Sequence, residues 1–351
     1  MTSKTIDNIV WFIPFRKLRD NIRDFMNFIY KKLLPMQAWD SFFIADFREA
    51  IKNDTNFYQK YLNLIKNFDN ESVEIINNIV GKISNYNNID EPVYFSQSQS
   101  QKIKKLSEEY NNKIIKINEE LFIYDKYILP FNQFEIEVFY DKSGMNYIKN
   151  INQVKNKNII DAGGYIGDSA IVFSDYTDKN IYSFEPFLQN YNLMLKTIEL
   201  NKKNNIIPVN MALGNENKEI SIYSNSDTVS SGISVETKQS DINSFENKVK
   251  MVTLDSYVKE NNIEVGLIKT DLEGFEQPFL KGAIETIKEQ KPVLIISIYH
   301  NYSDFFEIKP MIENLNLGYK FKIIEPKNHF KIIEPKNHFA AIASTLLLAE
   351  V

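Results

Sequence analysis

The sequence predicts an α/β chain in which residues 121–351 form a doubly wound sheet, residues 40–120 a helical accessory region and residues 1–39 a basic amphipathic segment. Three observations carry that reading. An apolar strand runs into a glycine turn and a helix at Asn158-Ile-Ile-Asp-Ala-Gly-Gly-Tyr-Ile-Gly167. Strand and helix patterns alternate from there towards the C-terminus, and before residue 120 the apolar residues recur at helical spacing.

Composition bounds the function classes. A chain of 351 residues with 43% hydrophobic content has the apolar surface for a large core. Its formal charge of −5 gives no overall basic field, so nucleic acid is not expected as a partner. The lack of cysteine excludes disulfides, thiolate zinc sites and a cysteine nucleophile. Three histidines, His300, His329 and His338, are too few for a multi-histidine metal centre. No apolar run approaches the roughly 20 residues that span a bilayer, and no cleavable leader pattern opens the chain, which makes the cytoplasm the expected location.

In order along the chain, Trp11-Phe-Ile-Pro-Phe15 leads a helical pattern over residues 9–36, with Leu18, Ile22, Phe25, Ile29 and Leu33 on one face. Residues 1–34 carry seven bases against three acids, a local +4 in an acidic chain. A helix of this kind packs on its own protein, docks a partner or makes peripheral contact with an anionic inner membrane face. Between 40 and 120, Phe57, Tyr61, Leu64 and Ile65 mark further helix, and Ser96-Gln-Ser-Gln-Ser-Gln101 reads as a loop or helix lead-in. Residues 121–150, rich in aromatic and β-branched types, are expected to cover the mouth of the sheet domain, with Glu135 and Glu137 read as exposed strand acids in preference to ligand contacts.

The glycine turn is the first chemical signal. Ile159 and Ile160 suit a buried parallel strand that ends at Asp161. Gly163, Gly164 and Gly167 then permit a tight turn and close approach of a ligand to the amides of the helix that opens at Asp168. A phosphate loop would end in Gly-Lys-Ser/Thr and a dinucleotide turn would read G-x-G-x-x-G. The D-x-G-x-x-x-G spacing found here suits S-adenosylmethionine, which has no pyrophosphate. Glu185 closes the next strand, eighteen residues beyond Gly167, at the place of a ribose-binding acid.

A helix with Leu188, Tyr191, Leu195 and Ile198 on one face follows, then a strand over 206–213 in which Asn210 faces either the adenine edge or a turn. Lys218 to Tyr223 reads as an added strand and Thr228 to Ser234 as a polar lid loop. Asp255 is the expected N-cap of a helix over 256–262.

The second signal is Val265-Gly-Leu-Ile-Lys-Thr-Asp271-Leu-Glu273-Gly274-Phe-Glu276, a strand that delivers three carboxylates to one tip. Carboxylates so close need positive charge, which Lys269, the cofactor's sulfonium or a divalent cation could supply; the metal is not favoured. The strand from Pro292 to Asn301 brings His300 to a neighbouring carboxyl end.

These motifs resemble those of the FkbM-type S-adenosylmethionine-dependent methyltransferases. The resemblance rests on Asp161-Ala-Gly-Gly-Tyr-Ile-Gly167, Ser-Phe-Glu185-Pro186, Ala212-Leu-Gly214, Thr253-Leu-Asp255 and, most specifically, Lys269-Thr-Asp271-Leu-Glu273-Gly274-Phe-Glu276. It covers about residues 120–351 and implies a Rossmann-like, seven-stranded sheet whose last two strands pair antiparallel, over 318–324 and 343–351. Lys322 to Phe330 is repeated without change as Lys331 to Phe339; only one copy fits a strand, since Pro326 and Pro335 break pairing, so His329 and His338 are expected in solvent. The resemblance further implies methyl transfer to a hydroxyl of a sugar, as in a bacterial surface glycan, or of another small molecule. It places Asp161, Gly163, Gly167 and Glu185 at the cofactor and Asp271 at the acceptor.

Together the residues and the resemblance nominate Asp161, Gly163, Gly164, Gly167, Glu185 and Asn210 for cofactor binding and Asp271, Glu273 and His300 for catalysis. His300 has a suitable ordinary pKa of about 6.5 for a general base, with Asp271 as the alternative. Two rivals remain open: a nicotinamide-dependent sugar oxidoreductase, which should show G-x-G-x-x-G, and a non-catalytic scaffold that binds cofactor or glycan.

Overall fold

The structure is a computed structural model, and it describes residues 10–12, 16–33, 41–84, 97–224, 234–235, 245–324 and 345–351. The lid loop before Ser234, the second copy of the nine-residue repeat, His329 and His338 lie outside the described residues.

Three short strands, β1 (Ile115–Asn118), β2 (Leu121–Tyr124) and β3 (Tyr127–Leu129), form an antiparallel ribbon. They are followed by β4 (Asn158–Ala162), β5 (Ile181–Phe184) and β6 (Ile206–Val209), then β7 (Ala212–Leu213), β8 (Lys218–Ser224), β9 (Ser234–Val235) and β10 (Phe245–Val252). The chain closes with β11 (Val265–Thr270), β12 (Val293–Ser297), β13 (Lys320–Ile324) and β14 (Leu346–Glu350). The main sheet has seven strands in the order β13-β14-β12-β11-β4-β5-β6. Its pairs from β12 to β6 are parallel, and β14 runs antiparallel to both β12 and β13. The expected α/β fold with an antiparallel final pair is therefore present.

The two faces of this sheet sort the hydrophobic residues. Every residue of β11 and β12 is buried, as a strand covered on both sides requires. Successive side chains then divide between two cores. Ile160, Ile268, Leu294 and Ile296 join a cluster that also holds Phe47, Leu64, Ile76 and Ile79 from the accessory helices. Ile159, Leu267, Val293 and Ile295 join a second cluster with Tyr124, Phe139, Ile171 and Phe173. The helical region thus covers one face, and the ribbon with residues 134–148 covers the other.

Four local expectations change. Residues 206–213 do not form one strand: β6 ends at Val209, and β7 pairs with β10 in a separate four-stranded sheet of order β7-β10-β8-β9. The helix Leu188–Leu200 leaves Leu188 and Leu195 exposed and buries Asn190, Met194 and Thr197 instead, because Met194 must pack beneath Gly164 and Gly167. Glu135 precedes, and Glu137 lies within, a short helix at Ile136–Phe139 where strand was expected. Thr253, whose side chain accepts from the Ser256 amide, caps the helix Leu254–Asn261, while Asp255 accepts from the Glu285 and Thr286 amides and caps the helix Ile284–Gln290.

Candidate active site

The carboxyl ends of β4, β5 and β11 meet at one cleft, lined among others by Gly163, Tyr165, Asp168, Glu185, Lys269, Asp271, Glu273, Phe275 and Tyr299. Glycine is required at the turn for packing as well as for ligand approach. Gly163 has φ +86°, and a Cβ there would run into the Asp271 carbonyl oxygen. A Cβ on Gly164 would meet the Ser183 hydroxyl and Met194. The amides of Gly163 and Gly164 both donate to the Phe184 carbonyl, at 3.1 and 2.8 Å, and the Asp271 amide donates to the Ala162 carbonyl at 2.9 Å. These bonds tie the three strand tips together.

Beneath the turn, Asp161 is fully buried and accepts from the hydroxyls of Ser169 and Ser183 at 2.8 and 2.7 Å. Its other oxygen lies 3.4 Å from the Lys269 ammonium, which also donates to the Gly163 carbonyl at 3.0 Å. Burial pulls the Lys269 pKa down, but the charges of Asp161, Asp271 and Asp168 outweigh it and the net shift is upward. Lys269 therefore stays cationic and pins the turn from below.

Glu185 closes the opposite wall. Its carboxylate accepts from the Tyr165 and Phe187 amides, each at 2.9 Å, and lies 3.4 Å from the Asn190 side-chain amide. Burial nevertheless pushes its pKa up to about 8. Burial and the neighbouring Glu135 push Asp168 up to about 7. The cleft is crowded with carboxylates, for Glu135, Glu137 and Asp141 also line it and Lys269 is the one base among its described lining residues. Such a cleft favours a cationic or neutral ligand over an anionic one.

On the far side, Asp271, Tyr299, His300, Glu273 and Glu276 form one charge network. Glu276 is buried and folds back so that its two oxygens accept from the Leu272 and Gly274 amides at 2.7 and 3.0 Å. That shapes the turn in which Glu273 and Gly274 take positive φ. His300, with 3% of its side chain exposed, lies between Glu276 Oε1 and Asp271 Oδ1, each 3.2 Å from one ring nitrogen. Neither contact is aligned as a hydrogen bond, so they act as charge pairing. Burial pulls the imidazole pKa down, yet the two carboxylates outweigh it and raise it well above its ordinary value. The carboxylates on both sides thus favour the imidazolium over the neutral imidazole that a general base needs.

Asp271 keeps 37% of its side chain exposed. Burial raises its pKa, but His300, Lys269 and Tyr299 outweigh that and hold it well below the usual carboxylate range. The Tyr299 hydroxyl donates to Oδ1 at 3.0 Å, the same oxygen that faces His300. Among the described residues Oδ2 accepts from none, so it keeps its capacity for a ligand hydroxyl. Asp271, Glu276 and His300 each bring one ligand-type atom within 4.8 Å of the others, as a metal site would. The Glu276 oxygens are already taken by backbone amides and the imidazole faces a carboxylate on each side, so a proton on His300 satisfies this group.

Of the residues nominated by sequence, Gly163, Glu185, Asp271 and Glu273 line the cleft. Asp161, Gly164, Gly167 and His300 stand behind that lining and shape it. Asn210 lies apart, with its side-chain amide donating to the Glu185 and Pro186 carbonyls, so it braces the loop that carries Glu185. Sequence reasoning missed Asp168, Asp141, Asn190 and Tyr299 as lining residues. Two of them had a visible cue: Asp168 follows Gly167 directly, and Tyr299 sits at the carboxyl end of a strand beside Asp271.

The model of the methyltransferase FkbM domain matches residues 161–321. A search of the curated proteins gives no match. Among solved structures, methyltransferase FkbM from Methylobacillus flagellatus KT superposes with a TM-score of 0.50 at 16% identity, over 87% of this chain and 60% of that one. The chain thus spans about 60% of that protein's length. An rRNA methylase from Streptococcus thermophilus scores 0.33 at 11% identity, over 59% of this chain and 93% of its own. TYW2 of M. jannaschii, in complex with AdoMet, scores 0.32 at 14% identity, over 68% and 88% respectively.

Proposed function

From the match of the methyltransferase FkbM domain model to residues 161–321, we propose that this chain transfers the methyl group of S-adenosylmethionine to a hydroxyl oxygen. One observation carries the proposal: the glycine turn with Glu185 and the Asp271 tip with Glu273 open onto a single cleft at adjacent strand ends. The first half fits the cofactor. Side chains at Gly163 and Gly164 would disturb the turn on which it would rest, Glu185 stands where ribose hydroxyls need an acceptor, and the surrounding carboxylates suit a sulfonium. When bound, S-adenosylmethionine supplies a methyl group on a positively charged sulfur.

The chain's own residues supply the rest. Gly163 and Lys269 fix the turn, and Glu185 orients the ribose. Asp271 would receive the acceptor hydroxyl on Oδ2, hold its oxygen towards the bound methyl and take its proton; the methyl would pass from sulfur to oxygen, and the sulfur would leave as a neutral thioether. Glu273, 3.7 Å from the same imidazole nitrogen, shares the wall on the acceptor side. His300 and Tyr299 hold Asp271 in place and keep it ionised. The acceptor we favour is a sugar hydroxyl, in keeping with the family resemblance, and a bacterial surface glycan is the substrate class to test first.

Asp271→Asn is the decisive variant. It is expected to bind S-adenosylmethionine as the parent does while losing about 10²-fold or more of the turnover, measured by product release with a panel of glycan acceptors. Full turnover in Asp271→Asn would remove Asp271 from the chemistry. A parent that binds cofactor but adds no methyl increment to any acceptor would favour the scaffold reading.

A further inference from the structure

We propose that the N-terminal helix Arg16–Leu33 is a docking surface for an anionic lipid bilayer. No described helix is long and apolar enough to cross a membrane, so the contact is one of lying on the surface. Three observations carry the assignment.

The first is exposure. Trp11 and Phe12 are 73% and 84% exposed, and Leu18 and Phe25 are 50% and 63% exposed. Large apolar side chains of a soluble helix normally face its own core, and here two that are seven residues apart, and so on one helical face, meet water together.

The second is charge. The helix holds Arg16, Lys17, Arg19, Arg23, Lys31 and Lys32 against Asp20 and Asp24, while the whole chain is at −5. The sequence of this helix is therefore basic where the chain as a whole is acidic, and its charge complement is anionic.

The third is arrangement. At about 100° per residue, Leu18, Ile22 and Phe25 form one stripe, Arg19 and Lys17 lie about 100° to either side of Leu18, and Arg16, Arg23, Asp20 and Asp24 share the opposite half. Arg23 pairs with Asp20 at 2.9 Å and the Arg19 guanidinium stacks 5.9 Å from the Trp11 ring centre, so the turn at residues 10–12 joins the same surface. An apolar stripe flanked by Arg19 and Lys17, whose long side chains reach outwards past it, suits a headgroup layer. A second copy would bring like charge against like charge.

The test uses the full chain with phosphatidylcholine vesicles, with and without phosphatidylglycerol. Co-sedimentation is expected only with phosphatidylglycerol, to fall as salt is raised, and to be lost in Leu18→Asp and Phe25→Asp while their melting temperatures stay at the parent value. Tryptophan emission should shift to the blue on the same vesicles, and Trp11→Phe should remove most of that shift. Equal recovery with both lipids, no recovery with either, or unchanged recovery in the two Asp variants would overturn the proposal. So would a fall in solution molar mass on Phe25→Asp, which would make the face a contact between copies. None of these readouts depends on methyl transfer, so the site reading stands or falls separately.

Discussion

His300 shows how far a residue's surroundings can move its role. An exposed histidine titrates near neutrality and serves as a base, but between Glu276 and Asp271 this one carries its proton through the neutral range. Its stabilising charge is fully present below about pH 6.5 and is lost only as pH rises through the elevated folded-state value. The parent should therefore show no loss of activity on lowering pH through about 6.5, where a histidine base would switch off. His300→Gln should lower turnover more than cofactor affinity and leave the shape of the profile between about pH 6 and 8 unchanged. An acid limb near pH 6.5 that disappears in His300→Gln would restore His300 as the base. The Glu185 pKa is raised by burial instead of by partners, with the same sign of pH dependence. With its folded pKa at about 8, folding without cofactor holds a proton that the unfolded chain releases, so cofactor-free stability falls as pH rises from about 4.5 to 8. Glu185→Gln removes that penalty, and the variant should melt higher than the parent at pH 8 yet resemble it at pH 4. A parent and variant that melt alike at both values would contradict the buried, ligand-facing carboxylate.

At the scale of elements, tertiary contacts decided what local pattern could not. Asp255 looks like a cap for its own helix, since it precedes Ser256 at a suitable spacing, but Thr253 takes that place. The Asp255 carboxylate instead reaches the Thr286 amide at 2.7 Å and the Glu285 amide at 3.1 Å, thirty residues on. Asp255→Ala should cost about 1 kcal/mol in urea unfolding, with Asp255→Asn recovering most of it; equal stability in all three proteins would show that the amides have other acceptors. The helix Leu188–Leu200 makes the same point, because its most hydrophobic arc is partly exposed and its buried arc is the one the glycine turn needs. The short helix Ile136–Phe139 was hidden for a different reason. Four residues rich in β-branched and aromatic types read as strand, and only packing against the cleft makes them helix. Glu135 and Glu137, before and within it, thereby join the cleft lining.

At the scale of the molecule, the alternation of strand and helix from Asn158 onward was legible because parallel strands buried on both faces leave long apolar runs such as Val265 to Thr270 and Val293 to Ser297. The strand ends were legible for the same reason, since Gly163, Glu185, Asp271 and Glu273 each directly follow such a run or its turn. The charge network behind them was not, because Glu276 reaches His300 only once the 271–276 turn has folded back on itself. The most direct measurement of the whole arrangement is calorimetric titration of the parent and Glu185→Gln with S-adenosylmethionine at about pH 9, above the folded-state pKa of about 8 at Glu185. One cofactor per chain should bind the parent, and the variant should bind roughly tenfold to a hundredfold more weakly, as the loss of a charge-assisted hydrogen bond worth about 1.5–3 kcal/mol requires. Absence of binding to the parent, or equal affinity in a folded Glu185→Gln, would contradict the assignment of this cleft.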